Sequence, residues 1–151
     1  MVHMGLYWEE FELGVDYVGR ARTVTEADVV NFAGVSGDYN PLHTDAELMR
    51  SSEFGERIAH GMLVASMSTG MSSQRGWLEG TTIALLEVNF KFKAVVRFGD
   101  TLHLLLRVKD KRETKKLDRG ILILSADMLN QASEVVMEGQ WTVMVKRRAG
   151  A

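Results

Sequence analysis

Two hydrophobic rhythms divide the chain. Up to about residue 74 apolar positions recur at helical spacing, and beyond residue 85 they alternate one by one with polar positions. The first rhythm predicts amphipathic helices and the second half-buried strands. In "LLEVNFKFK", Leu86, Val88, Phe90 and Phe92 alternate with Glu87, Asn89, Lys91 and Lys93. In "TLHLLLRVKD", Leu102, Leu104, Leu106 and Val108 share one face. "RGILILSADML" and "EVVMEGQWTVMVK" add two strands, the last with Val135, Met137, Trp141, Val143 and Val145 on one side. The links are "VRFGDT", a long charged loop and "NQAS". Short links between alternating strands predict antiparallel neighbours, so at least four strands form one sheet.

The first half is helical and irregular, with one early strand expected around Val15–Val24. "VTEADVVNFAG" predicts a short helix with Thr25 as N-cap and Asp28 completing an aspartate version of the capping box. Val29, Phe32 and Ala33 fall on one face, and Gly34 is the expected stop. "DAELMRSS" predicts another short helix capped by Asp45. The stretch 60–74, rich in Met, Ala, Ser and Gly, is so poor in charge that it should be buried nearly all round. Its glycines weaken helix propensity by about 1 kcal/mol each, so close approach of a sheet or ligand has to favour them. The sheet needs a cover for its apolar face, and this helix is the available partner.

Composition narrows the function classes. With 151 residues, 46 % apolar and 25 % charged, the chain reads as one soluble globular domain over 1–151. A net charge of −2 gives no general electrostatic argument for nucleic acid or an anionic membrane. No cysteine is present, so disulfides and thiolate metal sites are excluded. No apolar run approaches the roughly 20 residues of a membrane span, and no signal-peptide pattern opens the chain, so a cytoplasmic location is expected. Met1–His3 precede a second methionine at Met4 and read as a cloning remnant, and 146–151 as a flexible, solubilising basic tail.

The chemistry concentrates in "SGDYNPLHTD", Ser36–Asp45, which contains the chain's single proline. Asp38 and His43 lie five residues apart, at most about 17 Å when extended. Pro41 prevents a regular helix through the segment and pushes Asn40 to an extended backbone. The bend can bring a carboxylate and an imidazole to one small volume, as acid–base work on water requires. "IAHGM" supplies a second element: Gly61 opens the buried helix, where backbone N–H groups lack intrahelical partners and suit a developing oxyanion. The competing reading is a polar Asx-turn that merely caps a helix.

Other candidates divide the same way. His60 is either an ordinary buried histidine with a satisfied hydrogen bond or a partner supporting the site, and His103 reads as a surface residue. The histidines lack metal-ligand spacing, so no metal is expected. Seven basic against three acidic residues between Arg107 and Arg119 read as a solvated hairpin, with contact to thioester phosphates as the alternative. The methionines read as core filling.

"AGVSGDYNPLHTDAELMRSSEFGERIAHGMLVAS" closely resembles the signature of the MaoC-like dehydratases and (R)-specific enoyl-CoA hydratases, and "VVRFGDTL" resembles a turn common in that family. The resemblance implies an α+β hot-dog domain, a long central helix wrapped by an antiparallel sheet, assembled as a homodimer or an oligomer of dimers. It implies hydration of trans-2-enoyl thioesters to (R)-3-hydroxyacyl-CoA, or the reverse dehydration, with no cofactor beyond the CoA or carrier-protein thioester itself. Asp38 and His43 match the catalytic pair, Asp38 activating water while His43 shares it and protonates the α-carbon. Gly61 matches the oxyanion donor, Asn40 a loop-supporting position, and Thr69 a serine near the catalytic aspartate. Arg57 stands where the family often has proline. The rival readings are a dehydratase subunit acting on carrier-bound chains and a non-catalytic acyl-thioester-binding module.

Overall fold

The long strands wrap one face of a single buried helix, the hot-dog arrangement. In a computed structural model that describes residues 5–148, the element order is β1 (Asp16–Val18), β2 (Arg22–Thr23), α1 (Glu26–Ser36), α2 (Pro41–Thr44), α3 (Ala46–Arg50), α4 (Gly61–Ser73), β3 (Thr82–Phe92), β4 (Thr101–Glu113), β5 (Arg119–Leu129) and β6 (Val135–Lys146). The sheet order is β1-β4-β5-β6-β3, all antiparallel, with β2 added on β4. The expected early strand is thus two short ones.

The alternation works out as packing on β4 and β5. Leu102, Leu104, Leu106 and Val108, with Leu122, Leu124, Ala126 and Met128, are all 2 % exposed or less. Each such leucine contributes about 1.5–3 kcal/mol by leaving water. α4 lies across β4, β5 and β6 and buries Leu63, Val64, Ala65, Met67 and Met71 against them. On β6 the buried series 137, 141, 143 and 145 is as expected, but Val135 is displaced. A register shift between Met128 and Leu129 inserts an extra residue, so Val136 takes the inward place.

Several expectations are corrected. β3 and β4 are not neighbours: β3 lies on the far edge beyond β6. Three strand spacings are about 14 Å, which the link 93–100 bridges in an extended crossing. The loop between β4 and β5 is short, because β4 runs on to Glu113. Helix α1 runs through Gly34 to Ser36 and ends at Gly37, whose φ of 75° is the left-handed cap that glycine adopts freely. Gly34 only lowers propensity, whereas Gly37 meets the conformation that ends a helix. α4 is not buried all round either: Met62, Ser66, Thr69, Gly70 and Ser73 form an exposed stripe. β3 is likewise open, with Leu85, Leu86, Val88 and Phe92 all exposed.

The basic tail is docked as far as the described residues go. Arg147 pairs with Glu9 and Glu113 and lies 4.6 Å from the Trp8 ring centroid, while Arg148 pairs with Glu10. The expectations for Met1–His3 and for 149–151 fall outside the described residues.

Candidate active site

Local chemistry shapes the "SGDYNPLHTD" segment step by step. Ser36 donates its hydroxyl to the Phe32 carbonyl and accepts from the Asp38 N–H at 3.1 Å. Asp38 Oδ1 accepts from the Asn40 N–H at 3.2 Å, and Asn40 Oδ1 accepts from the Leu42 N–H at 3.0 Å. Asn40 is therefore the N-cap of α2, with extended ψ of 135°, and Pro41 takes the first helical position where its missing N–H costs nothing. Proline thus starts a helical turn here as well as blocking a longer helix. His43 sits on that turn and is buried, and Asp45 caps α3 by accepting from Leu48 N–H at 2.9 Å.

The turn aims His43 inward. Its Nδ1 lies 2.8 Å from the Ile58 carbonyl. A carbonyl only accepts, so Nδ1 carries the proton and Nε2 of the neutral ring is a bare acceptor. That Nε2 faces Asp38 Oδ2 at 4.0 Å. The gap is too long for a direct hydrogen bond and matches two bonds of about 2.8 Å meeting at one water oxygen. The Asp38 side chain is 52 % exposed, so the pair has one dry member and one wet member.

Ile58 is itself pinned by the long crossing between β3 and β4. Ala59 N–H donates to the Val96 carbonyl at 2.8 Å, and Ile58 bridges Arg97. The "VVRFGDTL" turn therefore fixes the carbonyl that fixes the histidine tautomer. Gly61 follows as the first residue of α4, and among the described residues its N–H has no hydrogen-bond acceptor. A Cβ built on Gly61 would come within 3.0–3.1 Å of the Phe92 ring, closer than ordinary contact. His43, Gly61 and Phe92 line one cavity of about 270 Å³, walled otherwise by apolar side chains including Leu42, Val64 and Val136.

A family profile described as "MaoC like domain" matches residues 12–126. This chain belongs to that family. The (R)-specific enoyl-CoA hydratase of Rhodospirillum rubrum is 34 % identical over 142 residues, covering 94 % of this chain and 93 % of that protein. The crystal structure of the MaoC-like dehydratase from Rhodospirillum rubrum superposes with a TM-score of 0.87 at 30 % identity, over 96 % of this chain and 99 % of that one. A Mycobacterium tuberculosis protein with a double hotdog fold gives 0.86 at 18 % identity, over 97 % of this chain and 46 % of that one, a likeness of fold.

Within this MaoC-like chain, Asp38, Asn40, His43 and Gly61 converge, but Thr69 does not join them. It lies eight residues along α4 from Gly61, about 12 Å at helical rise, on the exposed stripe. Its hydroxyl donates to the Ser66 carbonyl at 2.7 Å, and it lines a separate cavity of about 330 Å³ with Leu85 and Trp141. Arg57 forms an ion pair with Glu26 and lies over the Phe98 ring, tying the loop before α4 to α1.

The fold also gathers what sequence spacing kept apart. Asp38, His43 and His60 offer potential ligand atoms within 4.8 Å of one another, so distance in sequence was a poor argument about metal. Their hydrogen bonds are a better one. His43 Nδ1 is committed to Ile58 and His60 Nε2 donates to the Asp38 carbonyl. Each histidine therefore has one ring nitrogen already engaged by a backbone carbonyl. Sequence reasoning missed the Ile58 carbonyl and Phe92. A backbone carbonyl carries no residue-type signal, and Phe92 reaches Gly61 only through the long-range crossing.

Proposed function

We propose that the chain is a hydro-lyase that adds water to trans-2-enoyl thioesters to give (R)-3-hydroxyacyl thioesters, or runs the reverse dehydration. The observation that carries this reading is the 4.0 Å separation of His43 Nε2 from Asp38 Oδ2 beside the cavity that Gly61 lines. A carboxylate and a bare imidazole nitrogen are both acceptors. A water between them gives one O–H to each and turns a lone pair outward, toward C3 of an enoyl group.

The bonds then balance. The water oxygen bonds to C3 as the C2=C3 π pair shifts toward the thioester carbonyl. One water proton passes to His43 Nε2 while Asp38 keeps the other O–H oriented. The enolate-like oxygen accepts from the Gly61 N–H, favoured by the positive end of α4. The proton on His43 Nε2 finally returns to C2, giving the 3-hydroxyacyl thioester and restoring the ring. General acid–base help contributes about 10²–10⁴ in rate and the oxyanion donor about 10²–10³. Asn40 supports the pair by capping the turn that carries His43. The name of the Rhodospirillum rubrum hydratase supports the (R) hand of the product.

A second copy of the chain completes the assembly in this reading. β3 is a free edge of eleven residues whose Leu86 and Val88 are exposed. An open apolar edge strand invites pairing, and antiparallel pairing with itself is satisfied by two-fold symmetry.

Crotonyl-CoA hydration, read as loss of enoyl absorbance with chiral analysis of the product, tests the proposal. Asp38→Asn and His43→Gln should each lower kcat by at least about 10²-fold with the fold intact. Near-normal rates in either variant, or release of free CoA by the wild-type protein, would refute the assignment.

A further inference from the structure

We propose that His60 is a positioning residue that sets the distance between Asp38 and His43. Its Nε2–H donates to the Asp38 backbone carbonyl at 2.9 Å, and its ring stacks on that of His43 with centroids 3.7 Å apart and planes 25° apart. Phe32 meets the ring edge-on at 5.0 Å, and His60 is 2 % exposed. One buried side chain therefore touches the backbone of one member of the pair and the ring of the other. The inference rests on the hydratase reading above.

Helix capping does not account for a histidine here. His60 is the N-cap residue of α4, the place where Ser, Thr, Asp or Asn would cap the helix, yet it makes no capping bond. Its Nδ1 is buried with no hydrogen-bond partner among the described residues, which is unfavourable. A phenyl ring would fill the same space and strand no nitrogen. What it would lack is the bond to the Asp38 carbonyl. Asp38 has the more exposed side chain of the pair, so its loop gains most from an anchor below it. Fixing that carbonyl from the buried side fixes Asp38 Cα, and with it where the carboxylate meets the water. A cap position given to a side chain that bonds the Asp38 backbone instead of the helix end is the mark of a functional placement.

Two substitutions separate the roles. His60→Phe keeps a stacked ring and loses the donor, whereas His60→Gln keeps an N–H donor and loses the ring. For hydration of crotonyl-CoA by the full chain, His60→Phe should lower kcat about 10- to 100-fold, the size expected of a small misplacement. KM should stay within about threefold, and the thermal midpoint should change little, because the lost bond to the Asp38 carbonyl is offset by removal of the orphaned nitrogen. His60→Gln should recover at least about threefold of the lost kcat. In an Asp38→Asn background, His60→Phe should cost almost nothing more, since the group it positions is already disabled.

The inference is overturned if Asp38→Asn is inactive while His60→Phe turns over at the wild-type rate. It is also overturned if His60→Gln is no better than His60→Phe, or if the His60→Phe loss persists undiminished in the Asp38→Asn background. Wild-type turnover in Asp38→Asn itself strikes the hydratase reading instead. If the His60→Phe variant does not fold, His60→Leu serves as the donor-free variant under the same criteria.

Discussion

Gly61→Ala separates the demands of folding from those of catalysis. The added methyl meets the Phe92 ring at 3.0–3.1 Å, a few tenths of an ångström inside normal carbon contact. Phe92 is 51 % exposed at the end of the edge strand, so its ring swings aside at a cost of about 0.5–1.5 kcal/mol. Against that, alanine is favoured over glycine in a helix by up to about 1 kcal/mol. The net change in stability is within about 1 kcal/mol, a shift of at most about 4 °C in the thermal midpoint for a chain of this size. Catalysis loses more. The methyl narrows the approach to the N–H that receives the thioester oxygen, and loss of one oxyanion donor costs about 10²–10³ in kcat, or about 2.7–4 kcal/mol. Thermal unfolding and crotonyl-CoA hydration, measured on the same preparation, report the two effects separately. A variant that keeps its midpoint and hydrates within twofold of wild type would remove Gly61 from the oxyanion role. A collapsed midpoint would show that the close approach serves packing.

Three further outcomes are expected. Burial pushes the Asp28 carboxyl up, but hydrogen bonds from the Thr25 N–H and hydroxyl, together with Arg22, hold it net below the usual carboxylate range. A depressed folded value means the stabilisation is present above the unfolded pKa of about 3.9 and disappears as pH falls through the folded one. Asp28→Ala should therefore cost about 0.5–2 kcal/mol at pH 7 and show a shallower acid loss in urea titrations below pH 4 than wild type, and parallel curves would contradict this. Leu124→Ala, at a fully buried position of β5, should lose about 2–5 kcal/mol in chemical denaturation. Leu86→Lys combined with Val88→Lys should abolish the proposed β3-paired dimer in analytical ultracentrifugation, and a wild-type chain that already sediments as a monomer would refute the β3 interface.

Local physics was enough for much of this molecule. Alternation put Leu102–Val108 on a buried face, whereas Ile121–Leu124 are apolar on both sides and only pairing with β4 and β6 turned Leu122 and Leu124 inward. The capping box at Thr25, the caps at Asn40 and Asp45, and the turn at Pro41 follow from side chains that bond their own neighbours. The resemblance of the Asp38–Gly61 stretch named the candidate groups. Tertiary structure decided the rest. The partner of β3, the displacement of Val135 and the docking of Arg147 on Trp8 depend on crossings and registers between distant segments. So do the tautomer of His43, set by the Ile58 carbonyl, and the seat of His60 beneath Asp38. The separation of Thr69 from the site follows from its place along α4. Sequence patterns record what each residue needs from its near neighbours, while the spacing of two reacting groups is fixed only when segments far apart in the chain are packed against each other.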